Sequence, residues 1–132
     1  NWPLERYLGL AALLEAQGHE ILWLRGPAEA SLGLPEQARC LVELPLETLA
    51  ASLRHTRLYV GNDTGITHLA GMLGCPTVAV FGPTDPQVWR PLGPRVQVVQ
   101  RSCPGEWPEV AEVLEAAMRL LGGSDATLIG QD

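Results

Sequence analysis

The segment that decides the fold reads LYVGNDTGITHLA and spans residues 58–70. Its first residues are apolar, β-branched or aromatic, which is typical of a buried strand in a parallel sheet. A polar turn follows between Gly61 and Gly65, where a positive φ or a close ligand would exclude a side chain. Ile66, Leu69 and Ala70 then recur at helical spacing. The first turn of such a helix leaves backbone N–H groups available to an anion.

Two polar side chains in this turn have alternative explanations. Asp63 fits a helix N-cap, which is a common structural role for aspartate, and it equally fits a contact to a ligand. His68 lies one position away from the apolar stripe of the helix. It is therefore either an exposed surface residue or a residue that contacts a ligand. A protonated imidazole is disfavoured near a helix N-terminus, so a neutral histidine that donates to a phosphate fits the position.

Apolar strands alternate with amphipathic helices over the rest of the chain. The strands are predicted at 20–25, 40–42, 76–82 and 96–99, and helices begin after Pro3, Pro45 and Pro108. This order predicts an open, doubly wound parallel α/β sheet with right-handed crossovers. Ligands bind outside the carboxyl ends of the strands in such sheets, so residues 26–29, 61–68 and 82–85 should share one rim.

Length, charge and cysteine content narrow the function classes. The 132 residues suit one domain, and the net charge of −6 argues against a general nucleic-acid surface. All nine basic side chains are arginine, so phosphate charge must be met by Arg, His or backbone N–H groups. Cys40, Cys75 and Cys103 are too scattered for a zinc site, and their odd number suits a reducing compartment. No metal site is predicted.

The stretch GNDTGITHLAGMLGCPTVAVFGPTDPQVWRP, residues 61–91, resembles the signature of glycosyltransferase family 9, the heptosyltransferases of lipopolysaccharide core assembly. The resemblance implies the Rossmann-like C-terminal half of a GT-B glycosyltransferase. It also implies inverting transfer of a sugar from a nucleotide diphosphate sugar, ADP-linked by analogy, to a lipopolysaccharide-core or related glycan acceptor. We expect the donor-binding domain at residues 1–122 and a polar tail at 123–132.

The same resemblance assigns roles to individual residues. It implies that the turn holds the donor diphosphate largely through backbone N–H groups, and that Asp63 contacts the donor. Glu29 matches an acidic residue that bonds the nucleotide ribose, although a solvated glutamate near a helix start explains it equally well. The predicted substrate-binding residues are therefore Asp63, Thr64, Gly65, Ile66, Thr67, His68 and Glu29.

Two departures from the family pattern shape the expected activity. The family pattern has a strand and a basic loop before Trp2-Pro3, and an N-terminal domain with the acceptor pocket and general base; we expect none of these within the 132 residues. We therefore expect no catalytic residue within this chain, no cofactor besides the nucleotide-sugar substrate, and no turnover by the chain alone. The resemblance implies a cytoplasmic protein, with peripheral association of the full protein at the inner face of the cytoplasmic membrane.

Other nucleotide-binding classes fit less well. A dinucleotide-binding oxidoreductase domain requires G-x-G-x-x-G at its first strand–helix junction, and a P-loop NTPase requires Lys-Ser/Thr after its glycines; the sequence has neither. A non-catalytic module that binds a nucleotide sugar or phosphate remains an alternative, because it would need the same turn.

Overall fold

The computed structural model describes residues 2–25, 34, 38–42, 44–62, 64–82, 93, 95–100, 106–121 and 127–130. Six strands form one sheet in the order β2-β1-β6-β3-β4-β5, and every pair is parallel. The elements in chain order are α1 (Leu4–Ala16), β1 (Ile21–Arg25), β2 (Arg39–Val42), α2 (Leu46–Arg54), β3 (Leu58–Gly61), α3 (Gly65–Met72), β4 (Thr77–Val80), β5 (Val96–Val99), α4 (Val110–Leu120) and β6 (Thr127–Gly130).

The helices cover both faces of this sheet. The larger apolar cluster joins buried residues of α1 and α4 to one face, and the smaller cluster joins α2 and α3 to the other. Within β3, Leu58 and Val60 belong to the first cluster, whereas Tyr59 belongs to the second. This alternation follows from the two-residue period of a strand, and burial on both faces explains why β3 is apolar throughout. The predicted doubly wound α/β fold is confirmed.

Local signals set the helix boundaries. Helix α1 ends at Ala16, and Gly18 two residues later has a φ of 93°, in the left-handed region; the N–H of His19 donates to Leu14 O at 3.1 Å. This is the usual glycine ending of a helix. At the start of α4, the N–H of Glu109 donates to Glu112 Oε1 at 3.3 Å.

Among the described helices, none is both long and apolar enough to cross a membrane.

The end of the chain differs from the prediction. Residues 127–130, expected to lie in a polar tail, form β6 in the middle of the sheet. Thr127 pairs with Ile21 of β1 and with Leu58 of β3, and Ile129 is fully buried. Four residues are too short to show a hydrophobic period, so the segment gave little sequence signal. It is a strand because β1 and β3 satisfy its backbone on both sides.

Candidate functional site

The turn between β3 and α3 is built on a threonine cap. Thr64 has extended backbone angles (φ −132°, ψ 168°), and its hydroxyl accepts from the N–H of Thr67 at 3.4 Å. Its carbonyl accepts from the N–H of His68 at 3.1 Å. The position of a helix start after β3 is thus confirmed, with Thr64 rather than Asp63 as the N-cap residue of α3.

This cap restricts which N–H groups remain available to a ligand. Within the described parts of the chain, no residue accepts from the N–H of Gly65 or Ile66. The side chain of Thr67 is fully buried, and that of Ile66 packs against the smaller apolar cluster. For a bound anion, Ile66 therefore offers its backbone, and the Thr67 N–H is already occupied by the cap. Fewer N–H groups are therefore available to an anion than the predicted residues 64–68 would provide.

The sequence suggested a positive φ or a close ligand as the reason for the two glycines of the turn, and the structure shows a third reason, packing, at Gly61. Neither Gly61 nor Gly65 is among the described glycines with positive φ. A Cβ on Gly61 would lie 2.6 Å from Thr67 Oγ1 and 2.8 Å from the Tyr59 hydroxyl, so packing excludes a side chain there. A Cβ on Gly65 would meet nothing within 4 Å, and this residue is exposed at the first position of α3. Packing among the described residues therefore does not require glycine at position 65.

Asn62 is a structural residue of this site that the sequence reasoning did not single out. It is 4% exposed, and its Oδ1 accepts from the backbone N–H of Trp2 at 2.8 Å. The indole of Trp2 in turn donates to Pro108 O at 2.8 Å. Asn62 Nδ2 is buried and has no partner among the described residues. The sequence feature that could have pointed to Asn62 is an amide side chain directly after a buried strand, because a buried polar group needs a hydrogen-bond partner.

The carboxyl end of β4, the strand next to β3 in the sheet, is also closely packed. The N–H of Phe81 donates to Val99 O at 2.9 Å, and Gln100 Nε2 donates to Gly82 O at 3.0 Å. A Cβ on Gly82 would lie 2.7 Å from the ring of Trp107. Gly82 therefore lets the Trp107 ring cover the carboxyl end of β4. Of the predicted rim segment 82–85, Gly82 is the residue that the structure describes.

Some predicted site residues cannot be placed. Asp63 and Glu29 lie outside the described residues, and their donor and ribose contacts stay predictions. His68 is half-buried in the first turn of α3. No group of three His, Cys, Asp or Glu side chains that could hold a metal ion occurs among the described residues.

Cys75 lies at the opposite end of β4 from this turn and is 3% exposed. Burial raises the pKa of its thiol from 9.0 to about 11, although a hydrogen bond with Thr77 and the charge of Arg95 act in the other direction. A thiol with so high a pKa is a poor nucleophile at neutral pH. This burial indicates that Cys75 fills the core.

The sequence model of glycosyltransferase family 9 (heptosyltransferase) matches residues 1–118, which include the whole turn. The chain belongs to glycosyltransferase family 9. Two curated relatives are similar to this chain: lipopolysaccharide heptosyltransferase 2 of Salmonella typhimurium is 31% identical over 112 residues, and lipopolysaccharide heptosyltransferase 1 of Pseudomonas aeruginosa is 45% identical over 93 residues. These alignments cover 76% and 65% of this chain but 32% and 26% of the relatives.

Solved structures of family 9 proteins share the fold. The Escherichia coli ADP-heptose lipopolysaccharide heptosyltransferase II superposes with a TM-score of 0.77 at 24% identity, over 91% of this chain and 41% of that protein. The Escherichia coli heptosyltransferase WaaC with ADP superposes with a TM-score of 0.70 at 29% identity, over 90% and 38%. The predicted GT-B type of fold is confirmed. This family 9 chain spans about a third of the length of the curated relatives it matches.

Proposed function

We propose that this chain is the donor-binding part of an inverting glycosyltransferase that uses a nucleoside diphosphate sugar, with ADP as the nucleotide and a lipopolysaccharide-core or related glycan as acceptor. The observation that carries the proposal is the capped turn at the end of β3. It leaves the N–H groups of Gly65 and Ile66 without an acceptor among the described residues, in a chain of family 9. One solved relative of comparable fold contains ADP.

The proposed role of the turn is to hold the diphosphate before and during transfer. An acceptor hydroxyl forms a bond to the anomeric carbon as the bond from that carbon to the diphosphate oxygen breaks. Negative charge grows on the departing diphosphate, and N–H groups at the start of α3, with the positive end of its dipole, stabilise that charge. The hydroxyl proton goes to a general base, which we assign to the N-terminal domain of the full protein.

Asn62 supports this role by joining two helix starts. Its Oδ1 holds the N–H of Trp2, the residue that precedes Pro3 and α1, next to the turn that begins α3. Each helix start carries roughly half a positive charge. Bringing both to the carboxyl edge of the sheet increases the positive potential there, in a chain that has no lysine.

An NMR titration tests the proposal. The ¹⁵N-labelled chain is titrated with ADP, UDP and GDP at constant ionic strength, and amide shifts are followed. We expect ADP to bind most tightly, with a Kd of about 0.1–1 mM, and its largest shifts at residues 64–68. Shifts that cluster elsewhere, or equal affinity for all three nucleotides, would contradict the proposed site or the ADP preference.

Activity separates this proposal from a non-catalytic binding module. The chain alone should give no sugar transfer and no donor hydrolysis above background, because acceptor pocket and base are assigned to another domain. A protein that carries both domains should transfer sugar. An ADP-binding two-domain protein without transfer to any glycan acceptor would favour the non-catalytic module. ADP affinity is expected to be the same with EDTA as with Mg²⁺, once magnesium binding to ADP itself is subtracted.

A further inference from the structure

A cavity of about 330 Å³ lies at the amino ends of the central strands, on the opposite edge of the sheet from the turn. The distance along β3 from Arg57 to Asn62 is roughly 16 Å, so the two places are separate. The cavity lies between the ends of α2, α3 and α4 and the residues that precede β3, β4 and β5. We call it the amino-edge cavity, and the lining residues that matter below are Arg54, Arg57, Arg95 and Leu120.

The amino-edge cavity is strongly basic in an acidic chain. Arg54, Arg57 and Arg95 line it, which is three of the nine arginines in a chain of net charge −6. None of the described residues that line it is aspartate or glutamate. Arg54 and Arg95 are exposed, and Arg57 is partly buried. Three like charges at one cavity repel one another, so the arrangement is favoured when an anion is present.

The sheet explains why these arginines converge. The N–H of Tyr59 donates to Pro76 O at 2.8 Å, and the N–H of Thr77 donates to Arg95 O at 2.9 Å. The residues that precede β3, β4 and β5 are therefore neighbours. Arg57 and Arg95 stand two strand spacings apart, about 10 Å between their backbones. Their long side chains can reach one ligand from both sides.

The negative partial charges at helix C-termini offset only part of the positive charge of these arginines. The helices α2, α3 and α4 all end at the cavity, and each helix C-terminus carries roughly −0.5 charge. One arginine serves such an end directly, because Arg95 Nη2 donates to Leu120 O, although at 3.4 Å. Arg54 and Arg95 alone carry two full positive charges, of which the three helix ends offset about 1.5. A surplus of positive charge remains at the cavity.

We propose that the amino-edge cavity binds a phosphate-bearing anion, distinct from the nucleotide sugar at the carboxyl edge. Guanidinium groups stay charged at any physiological pH and match two phosphate oxygens at once, so arginines suit this ligand. The cavity volume is at the small end for ligand sites, which suits a phosphomonoester or diphosphate rather than a large cofactor. The phosphate can belong to a small molecule or to a phospholipid headgroup.

Inorganic pyrophosphate is the first probe, added to the ¹⁵N-labelled chain at constant ionic strength. We expect amide shifts at residues 54–57, 73–76 and 95, and these report separately from shifts at 64–68. Arg54→Gln and Arg95→Gln change exposed side chains and should each weaken binding at the cavity about ten-fold or more. Arg39→Gln is the matched control, because Arg39 is exposed, pairs with Glu20, and does not line this cavity; it should change affinity less than two-fold.

Vesicles distinguish the two sources of phosphate. Binding is measured by co-sedimentation with phosphatidylcholine vesicles that contain 30% phosphatidylglycerol, and with pure phosphatidylcholine. Pyrophosphate binding without sedimentation supports a small-molecule ligand, whereas arginine-dependent sedimentation with the anionic vesicles supports a lipid headgroup.

Three results would overturn the proposal: shifts confined to 64–68 with no vesicle binding, no response to either probe, or equal losses in Arg39→Gln and the cavity variants. Because the ADP titration reports on the carboxyl edge of the sheet, the proposal for either site can be refuted without affecting the proposal for the other.

Discussion

Replacement of Gly65 by alanine should weaken ligand binding while leaving the protein at least as stable. Gly65 is the first residue of α3, and a Cβ there would meet no atom within 4 Å. Alanine is a better helix residue than glycine by up to about 1 kcal/mol. The free energy of unfolding should therefore stay the same or rise by a few tenths to about 1 kcal/mol.

The loss of binding follows from the proposed contact. If the diphosphate approaches the Gly65 N–H, the new methyl group stands at the edge of that path. One lost hydrogen bond to a charged group costs about 1.5–3 kcal/mol, which corresponds to a loss of ADP affinity of roughly 10- to 150-fold. Calorimetric titration with ADP and urea unfolding of the same preparations give the two numbers.

Gly9→Ala provides the matched control for this experiment. Gly9 also lies in a helix, and a Cβ there would meet Val110 Cγ2 at an ordinary 3.6 Å. We expect a similar small change in stability and an unchanged ADP affinity. Should Gly65→Ala bind ADP as well as the wild type, the diphosphate does not approach this residue, and the assignment of the turn is wrong.

Four further predictions concern packing and titration. Gly61→Ala should lower the free energy of unfolding by about 1–3 kcal/mol, because its Cβ would lie 2.6 Å from Thr67 Oγ1; an unchanged urea midpoint would contradict this packing. Asn62→Ala should cost about 1–3 kcal/mol, since a buried N–H loses its acceptor, and a loss below about 0.5 kcal/mol would show that water replaces the amide. Ile129→Ala should cost about 2–5 kcal/mol if residues 127–130 form a central strand, and nothing measurable if they are a tail. The pKa of Cys75 is about 11 in the folded chain against an ordinary 9.0, so its contribution to stability is complete below pH 9 and is lost as the pH rises to about 11; the difference in unfolding free energy between wild type and Cys75→Ala should vary with pH in that window alone.

Much of the fold was predictable because its signals are local. The apolar run of β3, the Gly-Asn-Asp-Thr-Gly turn and the helical spacing after it predict strand, turn and helix, and all three occur at the expected positions. Prolines mark the starts of α1 and α2, and the structure places each of these helices directly after its proline. Signals of this kind depend on neighbouring residues, so one sequence is enough to read them.

The junction between β3 and α3 was predictable from the sequence, but the contacts inside it were not. The sequence indicated an anion-binding turn after β3, yet it could not show that the Thr64 hydroxyl occupies the Thr67 N–H. It also offered a positive φ or a close ligand as the reason for the glycines, whereas the obstacle that the structure shows at Gly61 is a pair of side chains. The hydrogen bonds and close contacts inside a turn depend on how its side chains pack together. A sequence pattern considers each of these residues by itself and does not contain that packing.

The sequence by itself determined the alternation of strands and helices, the family signature and the position of the turn between β3 and α3, since each is encoded within a few consecutive residues. The tertiary structure decided the rest. It placed β6 between β1 and β3, joined Asn62 to Trp2 across 60 positions of sequence, and gathered three arginines from separate elements at one cavity. These contacts form between distant segments only when the whole sheet assembles, and for that reason no local pattern contains them.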